Sequence, residues 1–315
     1  MKYAKITRDI FKRHPENPIL SAKDFPIKLR AVYNSAAIKT QEGKYVMLCR
    51  VNQLNHKTLL WRADSSDGIH FTPRPEPIEM PDNPTWNYIA SSVYYDPRIT
   101  FIDGRYIVLL ACQGYQGCRV AMFTSENLEY LEFINYINVP DNRNMVIFPE
   151  KSKDGRYMRL ERPSTIDSGG KGNIWLSFSP DLIHWGDSKE IIKSNDLWNF
   201  AYSGLGPSTV PIRTDDGWLF IFHAIMNNCT TREYSAGAAI LDYEKPWIVK
   251  YITKHPVLYP EAEYEIKGLV EHVCFPCSKI IEPDGEVKLY YGAADYIQCL
   301  ATSTVEEIIY ACKNW

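Results

Sequence analysis

Apolar and polar residues along this chain fall into short runs of β-branched and aromatic side chains. Ala31 to Ile38, Tyr45 to Val51, Leu59 to Ala63, Tyr106 to Cys112 and Arg119 to Thr124 are examples. Such runs are too short for buried helices, and residues that favour tight turns separate them. Glu42-Gly43, Asp67-Gly68 and Asp103-Gly104 each supply an acidic residue followed by a glycine, the pairing that tolerates a reversed backbone. The pattern predicts antiparallel strands in succession. Helical spacing is scarce, and its clearest instance is Ser303 to Cys312, with Thr304 or Ser303 as the N-cap.

A weak repeat runs through the strands. Ser66-Asp67-Gly68-Ile69-His70-Phe71 is similar to Ser125-Glu126-Asn127-Leu128-Glu129-Tyr130, and again to Ser179-Pro180-Asp181-Leu182-Ile183-His184-Trp185. Fainter versions stand at Leu241 to Pro246 and at Ala301 to Glu306. Units about 60 residues apart, in an all-strand sequence, point to the blades of a propeller. No Gly/Ser/Pro-rich linker interrupts the chain, so residues 1–315 are expected to form a single all-β domain.

Composition narrows the function. A net charge of −3 and the lack of a dense basic cluster argue against a nucleic-acid surface. The 21 Tyr, 8 Trp and 12 Phe favour strands and supply flat faces for ligands. The eight cysteines are scattered, and Cys274-Phe-Pro-Cys277 has no second pair to complete a zinc site. Carboxylates never take the spacing of a calcium loop, so no metal is expected. The start of the sequence is charged rather than apolar, and no run approaches the ~20 residues of a membrane span. A soluble, reduced, cytoplasmic protein without a membrane partner is the expectation.

The chemistry concentrates at strand ends. In Ala90 to Thr100 an apolar run ends in Asp96, which Pro97 follows directly. Proline pushes the preceding residue towards extended backbone, so Asp96 should be held rigidly, with Arg98 on its own face of the strand. A fixed carboxyl beside an arginine suits a general acid, while an Asp96–Arg98 ion pair closing a strand is the alternative. Arg143 and Asn144 open a further strand, Arg162 precedes Pro163, His223 lies late in an aromatic strand, and Asp295 ends Leu289 to Ala294. A propeller gathers such strand ends around one central channel, so charges distant in sequence can share a pocket.

Taken together, these motifs resemble glycoside hydrolase family 130. The resemblance is carried by Arg62 to Phe71, Tyr95 to Thr100, Arg143 to Lys151, Ile174 to Gly186, Asp216 to His223 and Leu289 to Asp295. It spans nearly the whole chain, in order. It implies a five-bladed β-propeller, and chiefly phosphorylases that cleave β-mannosides with inorganic phosphate; some members are hydrolases. By the resemblance, Asp96 is the catalytic acid and must start the reaction protonated. Arg143, Asn144, Arg162 and His223 match phosphate-holding positions, and Asn34, Ser35, Arg50 and Asp295 match positions that hold the mannosyl ring. Phosphate and an oligosaccharide are the implied partners, with phosphate as co-substrate and no cofactor. Acceptor pockets in such enzymes can be completed by a neighbouring subunit, so a homo-oligomer is compatible with the resemblance. One departure stands at Ala201 to Pro207, where the family often carries a lysine and this chain has none.

The leading expectation is an inverting phosphorylase that releases α-mannose 1-phosphate. The second is a hydrolase of the same fold, with Glu161, Glu271 or Asp295 as the base that inverting hydrolysis requires. A third, non-catalytic reading makes the protein a glycan-binding propeller with Trp86, Tyr88 and Trp198 as stacking faces.

Overall fold

The computed structural model describes residues 10–90, 93–115, 117–164, 172–227 and 229–315, without the side chains of 88–90. Five antiparallel sheets follow one another as the blades of a propeller. The innermost strands of blades I to IV touch in succession, that of blade V meets the second and third strands of blade IV, and blade V returns to the innermost strand of blade I.

Blade I comprises Ala31–Val32 and Ala36–Lys39 on the inside, then Tyr45–Asn52, Thr58–Ser65 and Thr72–Pro73. Blade II runs outward from Tyr94–Ile102 through Arg105–Gly114 and Gly117–Ser125 to Glu132–Tyr136. In blade III the strands are Asn142–Ile147, Tyr157–Pro163, Ile174–Ser179 and Gly186–Ile192. Blade IV starts with Gly204–Pro207 and Ile212–Thr214 and continues through Gly217–Asn227, Arg232–Leu241 and Val249–Ile252. Blade V is a composite: Cys274–Ile281, Glu286–Ala293 and Ile297–Thr304 receive Lys12–Arg13 as their outermost strand.

Burial follows this arrangement. A sheet with apolar residues on both faces must be covered twice, and here each face meets the neighbouring blade. Leu219, Ile221 and Ala238 of blade IV pack against Leu289, Tyr291 and Cys299 of blade V, and equivalent clusters fill the other four junctions. Seven of the eight cysteines, including Cys274 and Cys277, are buried free thiols within this packing; Cys229 alone is exposed.

The repeat marks the turn between the third and fourth strands. Asp67 Oδ1 accepts the N–H groups of Ile69 and His70 at 2.8 and 2.9 Å, and Asp181 Oδ1 does the same for Ile183 and His184 at 2.9 and 2.8 Å. Asp242 repeats the device with Glu244 and Lys245. The structural counterpart of Ser125 and Ser179 is Ser65, one residue before the serine that the sequence similarity pairs with them. The next turn position has positive φ in all three: Gly68, Leu128 and Leu182. At Gly68 a Cβ would come within 2.8 Å of the Tyr45 ring, so only glycine fits there. In blade V, Thr304 instead caps the helix Val305–Asn314 by accepting the Glu307 N–H, which starts the predicted helix at its expected cap.

The seam of blade V is held by charge. Arg13 donates from Nε and Nη2 to the two oxygens of Glu265, at 2.8 and 3.0 Å, and Glu265 is fully buried. The same carboxylate accepts the Glu261 and Ala262 N–H groups and the Tyr291 hydroxyl. Removing the arginine would leave that carboxylate without its cation. Arg13→Ala is therefore expected to destabilise the fold by about 3 kcal/mol, as loss of one partner of a buried pair does. Denaturant titration measures it, and an unaltered midpoint would show that the seam does not depend on this pair.

Candidate active site

The inner strands do not run straight. Each gains residues against its neighbour near the same end of the channel: between Val32 and Ala36, Tyr95 and Arg98, Arg143 and Val146, Pro207 and Ile212, and Pro276 and Ser278. A bulge breaks alternation and re-aims the side chains beside it. Asn34, Asp96 and Asn144 sit in three of these bulges with φ of 51, 51 and 57°. Asn and Asp tolerate this left-handed backbone better than other side chains.

The bulge overturns the sequence expectation for Asp96, whose backbone is left-handed rather than extended. Asp96 and Arg98 no longer share a face. Arg98 is buried, donates to the Pro97 carbonyl at 2.8 Å and lies over the Phe275 ring. The cation beside Asp96 is Arg50, from the second strand of blade I, with Nη1 2.7 Å from Asp96 Oδ1. Asn34 Nδ2 reaches the same oxygen at 3.2 Å. Among the described residues Oδ2 has no hydrogen-bond partner.

Aromatic groups hold Arg50 in turn. Its guanidinium lies 4.2 Å from the Tyr33 ring centroid and 5.1 Å from that of Tyr95, and Nη2 donates to the Tyr33 hydroxyl at 2.7 Å. Burial raises the Tyr33 hydroxyl to about 12, although Arg50 opposes the shift. Gly292 lets Asn34 approach: a Cβ there would stand 2.0 Å from Asn34 Oδ1. Ser35 is fully buried beside Asn34, with its N–H donating to Gln298 Oε1. Asp295 completes this half. Burial raises its carboxyl to about 6; Arg50 works against the shift and Asp96 adds to it.

The other half is cationic. Arg143 donates to both oxygens of Asp141, at 2.9 and 3.0 Å, so its charge is partly neutralised. Arg162 lacks a carboxylate partner among the described residues. Its Nη1 meets Nε2 of His223 at 3.1 Å, and burial with the nearby Arg143 charge brings its pKa down to about 10. His223 is fully buried, and its pKa falls well below the ordinary histidine value through burial and the charges of Arg162, Arg98 and Arg232. Gly206 makes room, since a Cβ there would fall 2.6 Å from His223 Cε1 and 2.9 Å from Arg162 Cδ. Asn144 lies next to Arg143 and is buried. Tyr234 faces both halves: its hydroxyl is raised by burial and by Asp295 and Asp96, and lowered by Arg232 and Arg162.

The structure thus brings Asn34, Arg50, Asp96 and Asp295 together, and sets Arg143 and Arg162 near one another with His223 against Arg162. Tyr33, Tyr95, Tyr234 and Ser208 escaped the sequence reading, because only contacts between blades reveal them. Two candidate bases fall away. Glu161 is buried on the opposite face of its strand from Arg162, paired with Arg159 at 2.8 Å and accepting from Asn142. Glu271 is exposed. Trp86 is no stacking face: it is core, packed against Tyr94, Phe123 and Tyr136. Trp198 is exposed, and the Tyr88 side chain lies outside the described residues. At the edge without a lysine, Gly204 has φ of 143° and a Cβ there would meet the Gly172 nitrogen at 3.3 Å.

The site is thus a propeller channel mouth that sets two carboxyl groups, Asp96 and Asp295, against a cationic pocket, an arrangement suited to an enzyme. The comparisons agree. Residues 3–314 match the model of glycoside hydrolase family 130, described as beta-1,4-mannooligosaccharide phosphorylase. The chain is 32% identical to a beta-1,4-mannooligosaccharide phosphorylase of Ruminococcus albus, over 98% of this chain and 92% of that protein. It is 35% identical to a beta-1,2-mannobiose phosphorylase of Listeria innocua, over 79% of this chain and 67% of that one. The solved structure of the beta-1,2-mannobiose phosphorylase from Listeria innocua superposes with a TM-score of 0.86, at 26% identity over 96% of this chain and 99% of that chain. The protein belongs to glycoside hydrolase family 130 and is an enzyme of the glycoside phosphorylase type.

Asp295 provides a test of the site's electrostatics. A carboxyl raised from its ordinary 3.8 to about 6 binds its proton more tightly folded than unfolded. The cost of its charge is then absent below about pH 4, grows as the pH rises, and is complete above about pH 6. Two pKa units correspond to about 3 kcal/mol. Asp295→Asn should therefore be more stable than the parent at about pH 7.5, by up to that amount, with the gap closing by about pH 4. Unfolding curves at the two pH values measure it; a gap independent of pH would contradict it.

Proposed function

We propose that the protein is an inverting phosphorylase of β-mannosides that uses inorganic phosphate and releases α-mannose 1-phosphate. The cationic half of the pocket carries this conclusion. Among the described residues Arg162 has no carboxylate partner, Arg143 is only partly neutralised, and a dianion offers both guanidinium groups the paired, charge-assisted hydrogen bonds they are shaped to make. A water nucleophile would need a base there instead. Glu161, the carboxylate closest in sequence to Arg162, is bound to Arg159.

In this reading the mannosyl ring lies against Asn34, Arg50 and Asp295, with phosphate on its opposite face. A phosphate oxygen attacks the anomeric carbon as the glycosidic C–O bond breaks. The leaving oxygen takes the proton that Asp96 carries on Oδ2, relayed through the 3-hydroxyl of the mannose. The proton released by monohydrogen phosphate then returns to Asp96, so protons balance over the cycle. Arg50 and Asn34 fix Oδ1, which leaves Oδ2 aimed at the sugar. The phosphorylase names of the relatives support mannosides as the substrate class.

Two measurements test the reading. Asp96→Asn keeps the shape of the side chain and removes its acidic proton, so turnover should fall by at least ~10²-fold with the fold intact. A near-normal rate would return Asp96 to a structural role. Product identity with and without phosphate decides the reaction. Mannose 1-phosphate should form only with phosphate present, and Arg162→Ala should raise the KM for phosphate more than that for the sugar. Free mannose released equally in both conditions would identify a hydrolase. The proposed reaction needs no metal, and a chelator is expected to leave its rate as it was.

A further inference from the structure

We infer that Ser208 is a positioning residue for the anion pocket, acting through His223 on Arg162. Three side chains form a line. Ser208 Oγ is 2.9 Å from His223 Nδ1, and His223 Nε2 is 3.1 Å from Arg162 Nη1. Ser208 and His223 are fully buried. An arginine has only donors, so Nε2 must accept, and in a neutral imidazole the proton then resides on Nδ1. Nδ1–H donates to Ser208 Oγ. The serine oxygen is the acceptor that fixes this tautomer, and the tautomer presents a lone pair to the guanidinium.

Local backbone explains why the serine faces this way. Between Pro207 and Ile212 the inner strand of blade IV carries its irregularity, and the N–H groups of Ser208 and Thr209 both reach the Ile221 carbonyl, at 3.2 and 3.1 Å. Thr209 Oγ1 accepts the Ile221 N–H at 3.0 Å and locks the bulge. Phe275 packs on the imidazole at 4.6 Å, centroid to centroid. The arrangement holds a guanidinium beside a second cation with, among the described residues, an uncharged imidazole and no carboxylate as its partner. With the opposite tautomer, an N–H would face an N–H, and Arg162 would have to move.

This assignment rests on the phosphate reading of the pocket, and its test separates the two. In Ser208→Ala the imidazole loses its fixed acceptor. The KM for phosphate should rise about tenfold, the scale of one buried hydrogen bond, with a smaller change in the KM for the sugar. Ser208→Thr keeps the hydroxyl and should restore phosphate affinity, whereas Ser208→Val, of the same shape, should not. Equal rises in both KM values, or equal behaviour of the threonine and valine variants, would reduce Ser208 to packing. Nitrogen NMR of the unsubstituted, histidine-labelled enzyme needs no variant to fold: His223 should be protonated on Nδ1, and protonation on Nε2 overturns the assignment. A parent enzyme indifferent to phosphate would defeat the phosphorylase reading, while the NMR result would still decide the tautomer.

Discussion

The pocket depends on keeping two guanidinium groups close together inside a protein with only one of them paired to a carboxylate among the described residues. Like charges in a poorly solvated site repel, and the usual remedy is a carboxylate for each. The propeller applies that remedy to Arg143, through Asp141, whereas among the described residues Arg162 has only an uncharged imidazole against it. His223 stays neutral because burial and three neighbouring arginines make a second proton costly. Burial and the neighbouring Arg143 charge together lower the affinity of Arg162 for its proton.

Five interrupted inner strands make this possible. Regular strands would send alternate side chains into the neighbouring blades and leave the channel lined by whatever remained. The bulges instead turn Asn34, Asp96 and Asn144 to the same end of the channel, at the cost of left-handed backbone in each. Glycine at 206 and 292 then clears the space those side chains and His223 occupy. The two halves of the site follow from the blades that supply them: blades I, II and V build the half around Asp96, and blades III and IV the half around Arg162.

Much of this was legible in the sequence, for physical reasons that also mark the limits. Turns with an aspartate followed by a glycine or another left-handed residue depend on local hydrogen bonds, so the blade rhythm showed itself, even with the first serine displaced by one position. Charged residues at the ends of apolar strands were equally visible, and Asp96, Arg143, Arg162 and Asp295 came from them. The partner of Asp96 was not. Alternation favoured Arg98, but the bulge hands that role to Arg50, and a one-residue irregularity leaves no clear trace in composition. Tyr33 and Ser208 were missed because their importance lies in what another strand brings to them.

The composite fifth blade has a consequence for how the molecule comes into being. Lys12–Arg13 precede every other strand of the propeller, yet their partner strand Ile297–Thr304 and the Glu265 carboxylate follow blade IV in the chain. Asp295 belongs to that late portion, while Asn34 and Arg50 lie just across the seam in blade I. Until the ring closes, the early segment has no edge to join, and the half-site around Asp96 lacks one wall. Closing the ring therefore also supplies the wall that Asp295 gives to the half-site around Asp96, whereas blades III and IV form the half around Arg162 without it.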